Sequence, residues 1–443
     1  MADEQKQLFS KLAEPSNINL FSVTSNKTKK NVDIANGTTE LYYYESILQQ
    51  AIKVSCVYAD TGNSVENDGK YMSVIEGLPL VGQEKMQLVM TDNLNNKLDL
   101  SLYVNKISPL NQDSRRSLIS LDLVSKEYIL NEQIRVKNRF NGKISDHIRY
   151  ILTDSNCLNT KKNIDIEETL NNYNFIGNNK KPIYLCNWLS RMSVPNTQNA
   201  KGNTAGYLFF ETSKGFQYKS IDKLFSSKPV KSLIYNDSPD SGGQNIPFGY
   251  GGKILEYDID NTIDVVSKFE IGTYSTKIIT FDPFNCYYKV EYPRTELTKE
   301  HLKLAGKELP VLNDEFPNKH TRTSYMLIDT GTLPTGNTKE QIGKSQEQNF
   351  DPNGILNQAA MRYNQLFTIK VRITVPGDFS LHAGDLIFVD NPELSSNTDN
   401  NKSEQFGGIY MIAHLCHMVS STGTFTKLIL VRDSYGKTGN PTA

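Results

Sequence analysis

A pattern of turn residues followed by three apolar stretches occurs twice in this sequence, near residue 80 and again near residue 380. In the first copy, residues 77–84 (GLPLVGQE) precede apolar stretches at 86–90, 98–107 and 116–125. In the second copy, residues 379–385 (FSLHAGD) precede stretches at 386–389, 407–414 and 424–433. Each copy places a leucine before a glycine, and an acidic residue where the first stretch opens. Because the same order recurs, the sequence indicates a duplicated structural unit.

The apolar stretches have the period of β-strands. Leu98, Leu100, Leu102 and Val104 alternate with polar residues, which predicts a half-buried strand. Between the two copies the pattern becomes helical. Residues 145–152 are predicted as a helix with Ser145 as its N-cap, and residues 182–192 as a helix with a proline in first position. The middle segment is therefore predicted to be a mixed α+β domain.

These patterns divide the chain into segments. Residues 1–40 are polar and irregular, and they are predicted to form an N-terminal arm. The predicted domains are a first β domain at 41–130, the α+β domain at 131–250, and a second β domain at 251–435 with a long polar insertion at about 300–355, followed by a tail at 436–443.

Composition excludes several classes of protein. The chain has 443 residues, and its 48 basic and 49 acidic residues leave a net charge of -1, which lacks the basic excess of a nucleic-acid binder. No apolar segment is long enough to span a membrane, and the charged N-terminus lacks a secretory signal. The five scattered cysteines do not form a disulfide framework or a zinc motif. These features predict synthesis and retention in a reducing cytoplasm, without membrane insertion.

Motifs that suggest chemistry are incomplete. Residues 239–243 resemble the serine region of a protease but begin with proline, and residues 343–345 match only the end of a phosphate-binding loop. The cluster at 414–417 (HLCH) is predicted to lie on a strand, where His414 and His417 would face opposite sides. A glycosidase pair such as Glu211 and Asp222 has no support from sequence alone. We therefore predict no enzyme activity, no metal site and no cofactor.

Two segments carry a resemblance to a known family. Residues 206–222 (GYLFFETSKGFQYKSID), supported by the C-terminal run that extends from 408–412 (GIYMI) to 430–434 (LVRDS), resemble central baseplate hub proteins of contractile-tailed myophages. That family is related to the hub part of VgrG spike proteins in type VI secretion and to phage late control protein D. The resemblance extends over residues 41–435. It marks the following positions as structural family-motif residues: Phe209, Phe210, Gly215, Phe216, Ser220, Gly384, Asp385, Gly408 and Tyr410.

The resemblance implies a specific architecture and specific partners. The fold would be mainly β with an α+β insertion: two similar tube-type antiparallel β-barrel domains plus a mixed α+β domain. The chain would form a homotrimer that contacts a trimeric tail spike protein, a tail tube or tube-initiator protein and baseplate wedge proteins. DNA would pass through its channel without sequence-specific binding. The protein would be located in the tail baseplate of the virion and synthesised in the cytoplasm of the bacterial host.

We expect a structural hub that adapts a sixfold tail tube to a threefold spike. Two related units in one chain allow three copies to imitate a ring of six. Two alternatives remain open from the sequence: a tail-associated peptidoglycan hydrolase, and a receptor-binding or glycan-binding tail protein.

Overall fold

The structure is a computed structural model. It describes residues 13–67, 69–113, 115–196, 205–235, 252–259, 265–283, 286–292, 302–309, 313, 315, 322–328, 336–345, 355–390 and 406–439. Residues 239–243, which hold the protease-like motif, lie outside the described residues.

The strands are numbered in chain order. Those in the first part of the chain are β1 (Asn17–Thr24), β2 (Asn31–Asp33), β3 (Thr38–Ser46), β4 (Lys53–Asp60), β5 (Val65–Asn67), β6 (Lys70–Met72), β7 (Lys85–Thr91), β8 (Lys97–Gln112), β9 (Ser117–Val124), β10 (Arg139–Phe140), β11 (Ile164–Ile166) and β12 (Phe175–Ile176). Those that follow are β13 (Tyr207–Thr212), β14 (Gly215–Ser220), β15 (Lys231–Ile234), β16 (Glu256–Ile259), β17 (Thr276–Asp282), β18 (Tyr287–Glu291), β19 (Arg322–Leu327), β20 (Ile369–Pro376), β21 (Leu386–Asp390), β22 (Gly408–Ser420) and β23 (Gly423–Arg432).

The helices are short. They are α1 (Val74–Gly77), α2 (Lys126–Gln133), α3 (Ile144–Thr153), α4 (Pro182–Ser190), α5 (Ile221–Phe225), α6 (Val265–Glu270), α7 (Thr338–Ser345) and α8 (Leu356–Leu366), together with a 3-10 turn at Ala35–Gly37. In the described ranges, no helix combines the length and the apolar character that a membrane crossing requires.

The duplicated unit is visible in one 13-stranded sheet. Unit one contains β1, β3, β4, β7, β8 and β9, which lie side by side in the order β1-β7-β8-β9-β4-β3. Unit two contains β15, β16, β20, β21, β22 and β23, in the order β15-β21-β22-β23-β20-β16. The two orders are identical when the strands of each unit are numbered along the chain. One difference is that β1 runs antiparallel to β7, whereas β15 runs parallel to β21.

The sheet encloses the main hydrophobic core, which draws on both units. Phe21, Tyr43 and Leu88 of unit one and Ile387 and Leu430 of unit two are fully buried in the same cluster. Alternation along strands such as β7, whose buried and half-buried residues alternate, produces this core. The prediction of a mainly β chain with an α+β insertion is confirmed.

The α+β domain has its own core and packs beside the sheet. It contains α2 to α5, the small sheet β11-β14-β13 and the pair β10-β12. Ile148, Ile151, Leu189 and Phe216 are buried together there. The helix at Pro182 begins with its proline in the first turn, as predicted. The other helix begins at Ile144 rather than after Ser145, and Ser145 is buried inside α3, so the predicted N-cap is wrong.

Three predicted boundaries are wrong. Residues 17–40 are not an arm, because β1, β2 and the start of β3 are strands of the large sheet. Residues 231–234 belong to unit two as β15 rather than to the α+β domain. The stretches at 277–281 and 287–292, assigned to the second β domain, form the separate sheet β18-β17-β19, which is inserted between β16 and β20. Part of the predicted polar insertion at about 300–355 is the helix α7.

Candidate functional site: the paired units and their junction

Each unit contains three consecutive antiparallel strands, here called its meander: β7, β8 and β9 in unit one, and β21, β22 and β23 in unit two. The turn before the meander of unit one has a defined hydrogen-bond pattern. The Gln83 N–H donates to the Val104 carbonyl oxygen at 2.8 Å, and the Val104 N–H donates to the Glu84 carbonyl oxygen at 3.0 Å. Gln83 has a positive φ of 65°. The buried Glu84 carboxylate accepts the Val81 and Gly82 N–H groups at 2.8 and 2.9 Å. An acidic side chain therefore closes the turn that starts β7.

The turn of unit two repeats this pattern. The Gly384 N–H donates to the Ile412 carbonyl oxygen at 2.8 Å, and the Ile412 N–H donates to the Asp385 carbonyl oxygen at 2.9 Å. Gly384 has a positive φ of 86°, and the Asp385 carboxylate accepts the His382 N–H at 3.0 Å. The acidic residue and the left-handed residue before it therefore have the same backbone roles in both units.

The long middle strand of each meander, β8 or β22, stops pairing with the preceding strand at the same point, next to a bulge. In β8 the ladder to β7 ends at Tyr103, and a bulge follows Val104. In β22 the ladder to β21 ends at Met411, and a bulge follows Ile412. A bulge bends and twists a strand, so its second half separates from the preceding strand. Each unit thus leaves half of one edge of its long strand available to another strand.

In unit two, the free edge of the long strand β22 pairs with strand β3 of unit one. Strand β3 pairs antiparallel with β22 from Ser46 opposite His414 to Glu40 opposite Ser420. The pairing buries Leu41 and Tyr43 on β3. This ladder, here called the seam, makes the two units one continuous sheet.

A buried carboxylate fixes the junction beside the seam. Glu45 of β3 is 1% exposed and accepts hydrogen bonds from the Tyr43 hydroxyl, the Ser213 N–H at 2.8 Å and the Ala383 N–H at 2.9 Å. Its Oε1 lies 3.2 Å from Nδ1 of His382. Burial opposes ionisation, but the hydrogen bond and charge of His382 outweigh it and lower the pKa of Glu45. One carboxylate therefore joins unit one, unit two and the β13-β14 turn.

A second buried charge cluster ties the α+β domain to unit one. Lys162 forms ion pairs with Glu127, at 2.8 Å, and with Glu211. Glu211 also accepts the Ile52 N–H at 3.1 Å. Burial raises the pKa of Glu211. The carboxylate is thus engaged with a lysine and a backbone donor inside the protein, in a structural role.

A third cluster ties the α+β domain to the end of unit two. Arg362 of α8 is 2% exposed, and its Nη1 lies 2.9 Å from the Asp433 carboxylate. Its Nη2 lies 2.8 Å from the Asp222 carboxylate and 3.2 Å from the Lys303 carbonyl oxygen. Burial raises the pKa of Asp222, although the arginine opposes this shift. A planar guanidinium suits such bidentate bridging between two carboxylates.

The family-motif residues of the β13-β14 hairpin lie in two cores. Phe209 stacks on Phe216 with ring centroids 5.7 Å apart, in the core of the α+β domain. Phe210 faces the other way and packs against unit two. Its ring lies so close to Gly384 that a side chain there would clash, because an added Cβ would be 2.8 Å from the ring. Ser220 caps α5 by accepting the Lys223 N–H at 3.0 Å. The hairpin therefore connects the α+β domain to unit two.

The remaining motif residues occupy tight positions. Gly215 has a φ of 120°, and a Cβ there would lie 2.1 Å from the Asn163 carbonyl oxygen. Gly408 has a φ of 116° at the start of β22. The buried Tyr410 donates its hydroxyl to the Phe406 carbonyl oxygen at 2.6 Å, and the Arg432 guanidinium lies 5.1 Å from its ring centre. These contacts hold the start of β22 and the β13-β14 turn in place.

The His/Cys cluster is divided between the two faces of β22. His414 and Cys416 line a surface cavity of about 480 Å³, whereas His417 is fully buried on the other face. Burial raises the pKa of the Cys416 thiol to about 11, so the thiol stays protonated near neutral pH. Among the described residues, no three His, Cys, Asp or Glu side chains gather as metal ligands.

Sequence reasoning missed the charged residues that hold the junction. Glu45, Lys162 and Arg362 were not singled out, because a charged residue in a polar stretch normally lies on the surface. The sequence did contain one signal: Glu45 follows Leu41 and Tyr43 at the alternate positions of β3 that face inward, where a carboxylate must have buried partners.

Comparison with solved structures shows which proteins share the fold. The chain is similar to a tail protein from Neisseria meningitidis MC58, with a TM-score of 0.51 and 12% identity, over 94% of this chain and 96% of that one. It is also similar to the 43 kDa tail protein of prophage MuSo2 from Shewanella oneidensis, with a TM-score of 0.50 and 12% identity, over 94% of this chain and 98% of that one. No protein-family model matches the chain, and a search of curated proteins finds no relative. The chain therefore shares the fold of phage tail proteins.

Proposed function

We propose that this chain is the structural hub of a contractile phage tail baseplate. Three copies would form a ring that adapts a sixfold tail tube to a threefold spike and leaves a channel for DNA. The observation that carries this proposal is the seam: two units of identical strand order already lie edge to edge within one chain. A protein with two quasi-equivalent units can satisfy threefold and sixfold neighbours together. The fold shared with phage tail proteins supports the same role.

The proposed partners follow from this geometry. A homotrimer would contact a trimeric spike on one face and a tube or tube-initiator protein on the other, with wedge proteins around it. DNA would pass without sequence-specific binding, which agrees with the net charge of -1. The protein would act in the virion after synthesis in the host cytoplasm.

A non-enzymatic role is also supported by the carboxylates. The two candidates for a hydrolase pair, Glu211 and Asp222, are both engaged in buried ion pairs, with Lys162 and Arg362 respectively. A glycosidase acid must reach the glycosidic oxygen of its substrate. Carboxylates engaged in this way stabilise the fold and are poor candidates for catalysis.

Native mass measurement tests the hub proposal. The purified chain is expected to have the mass of three copies and to copurify with spike and tube proteins. A chain that stays monomeric and binds neither the spike protein nor the tube protein contradicts the proposal. Reproducible lysis of cell walls, abolished by Glu211→Gln, would instead support the hydrolase alternative.

One observation favours a second candidate function, receptor or glycan binding. The inserted sheet β18-β17-β19 exposes aromatic side chains on one face, with Phe281 opposite Tyr288 and with Tyr325 nearby on β19. Exposed aromatic rings are suited to stacking on sugars. Binding to a host glycan array that is lost in Tyr288→Ala/Tyr325→Ala would support this role for the insertion.

A further inference from the structure

The seam provides a template for contacts between copies of the chain. It joins β3 of unit one to β22 of unit two. Because strand order is the same in both units, β16 is the counterpart of β3, and β8 is the counterpart of β22. A second seam of the same kind would therefore join β16 to β8.

Strand β8 has the required open edge. Past the bulge that follows Val104, the residues Lys106–Pro109, Asn111 and Gln112 pair on one side with β9, and Leu110 forms a second bulge that β22 does not have. On the other side, where β22 receives β3, the described part of the chain supplies no ladder partner. Leu110 is 58% exposed on this segment, and Pro109 is also exposed. His417, the counterpart of Pro109, is fully buried by the seam.

Strand β16 has the complementary edge. Glu256–Ile259 pairs on one side with β20, and its other side has no ladder partner among the described residues. Ile259 is 37% exposed, whereas its counterpart Tyr43 on β3 is 0% exposed. An open strand edge exposes backbone donors and acceptors and invites pairing with another chain. Ile259 and Pro109 are thus more exposed than Tyr43 and His417, the positions that correspond to them in the seam.

We propose that β16 of one copy pairs antiparallel with the end of β8, from Pro109 to Gln112, in the next copy, in the register that the seam indicates. This inference rests on the proposed hub function and specifies which surfaces make the ring. The seam pair Tyr42 and Met418 then predicts an intermolecular pair of Asp258 and Asn111.

The register follows from the ladders inside each unit. The count runs along β9 and β23, starting opposite the bulges that follow Val104 and Ile412. It makes Leu118 on β9 correspond to Phe425 on β23, and the ladder partners of these two residues are Asn111 and Met418. Counted in the same way, Ser55 on β4 corresponds to Arg372 on β20, with partners Tyr42 and Asp258.

This contact is heterologous, because the two edges differ. Heterologous contacts close into a ring when the rotation between copies returns to the start. Three intramolecular seams would then alternate with three intermolecular ones. Pro109 lacks an N–H group, so the intermolecular ladder lacks one donor that His417 supplies in the seam. Proline on an open edge also hinders indiscriminate strand pairing, which favours a contact specific to this partner.

A disulfide between copies tests the register. The Ile47 N–H donates to the Ala413 carbonyl oxygen across the seam, which makes Tyr42 and Met418 a non-hydrogen-bonded pair. Such pairs hold their Cα atoms about 4.5 Å apart, within the range for a disulfide. In a Cys286→Ser background, Asn111→Cys/Asp258→Cys is expected to give covalent dimers and trimers after mild oxidation, which return to single chains on reduction.

Matched variants separate this contact from random oxidation. Asn111→Cys/Tyr325→Cys pairs the same β8 position with an exposed residue of a different strand, and it is expected to behave like each single cysteine variant, without trimers. Mixing the single variants Asn111→Cys and Asp258→Cys is expected to stop at covalent dimers.

The outcomes distinguish the edge assignment from the hub function. A native mass of three copies without a specific disulfide overturns the edge assignment and leaves the hub standing. A disulfide-linked ring that binds neither spike nor tube proteins supports the edge assignment and overturns the hub. A chain that stays monomeric and forms no specific disulfide overturns both.

Discussion

Glu45 and His382 are 337 residues apart in sequence, yet Oε1 of the first lies 3.2 Å from Nδ1 of the second. The pair lies where β3 of unit one meets the turn that opens the meander of unit two. Both side chains are buried, so the contact is shielded from solvent. Together with the seam, it fixes the two units of the chain relative to each other.

Replacing Glu45 is expected to destabilise the chain. Glu45→Ala leaves the part-buried Ser213 N–H and the buried Ala383 N–H without an acceptor, at a cost of about 3 kcal/mol or more. Glu40→Ala, on the same strand but exposed, is the control and is expected to change stability by less than about 0.5 kcal/mol. Urea unfolding followed by tryptophan fluorescence and circular dichroism compares them. Equal midpoints for the two variants would show that the junction does not depend on this carboxylate.

His417 is expected to make stability depend on pH. Burial lowers the pKa of His417 to about 4, from an ordinary value of 6.5. The unfolded chain therefore binds more protons between these values, so the stability from neutral His417 is complete above pH 6.5 and is lost as pH falls toward 4. The loss is about 3 kcal/mol.

His417→Asn checks this pH dependence. The variant keeps a polar group near the Thr426 hydroxyl but does not titrate, so its urea midpoint is expected to change less between pH 7 and pH 4.5. His414→Asn, at a half-buried position on the same strand, is the control. An unchanged pH profile in His417→Asn would contradict the prediction.

Much of the fold follows from local pattern. The meanders could be predicted because inward and outward residues alternate along β7 and β8, and because an acidic residue and a left-handed residue mark each opening turn. The seam could not be predicted, because the choice of β22 as partner for β3 depends on contacts between distant segments. Alternation identifies a strand but not its neighbour.

The wrong boundaries also have physical causes. A bulge between Ile18 and Leu20 interrupts the alternation of β1. Three consecutive residues further along the strand, Phe21, Ser22 and Val23, are also buried, so the period of a half-buried strand is hidden. Helix α7 has Ile342 as its single aliphatic large residue, so it shows no apolar period. Strand β15 has four residues, too few for alternation to be recognised.

Gly215 is expected to tolerate no side chain. In Gly215→Ala, the new Cβ would lie 2.1 Å from the Asn163 carbonyl oxygen at a φ of 120°, which combines a backbone clash with strain. We expect a loss of at least about 3 kcal/mol. Gly142→Ala is the matched control, because φ is 115° and no atom lies within 4 Å, so strain alone costs about 1–2 kcal/mol. Similar unfolding midpoints for both variants would contradict the clash.

Arg362 is expected to hold the α+β domain against unit two. Arg362→Ala leaves the Asp222 and Asp433 carboxylates buried without their cation, at a cost of about 3–5 kcal/mol. Arg372→Ala, which breaks an exposed pair with Asp258, is expected to cost less than about 1 kcal/mol. Limited proteolysis and thermal unfolding measure the difference. A domain that stays protected in Arg362→Ala would show that apolar packing alone fixes this interface.

Leu110 is expected to control assembly without controlling the fold. The residue is 58% exposed on the open edge of β8, so Leu110→Asp removes few internal contacts but places a charge where the proposed intermolecular ladder forms. Desolvating that carboxylate opposes pairing, and we expect half-assembly to need at least about tenfold more chain, the equivalent of about 1.4 kcal/mol. Val81→Asp is the matched control, because Val81 is 85% exposed in the turn before β7, away from the open half of β8. Sedimentation at a series of concentrations should show three-copy species for Val81→Asp and mostly single chains for Leu110→Asp, with equal thermal midpoints for the dissociated proteins. Unchanged assembly in Leu110→Asp would mean that the ring closes through other surfaces.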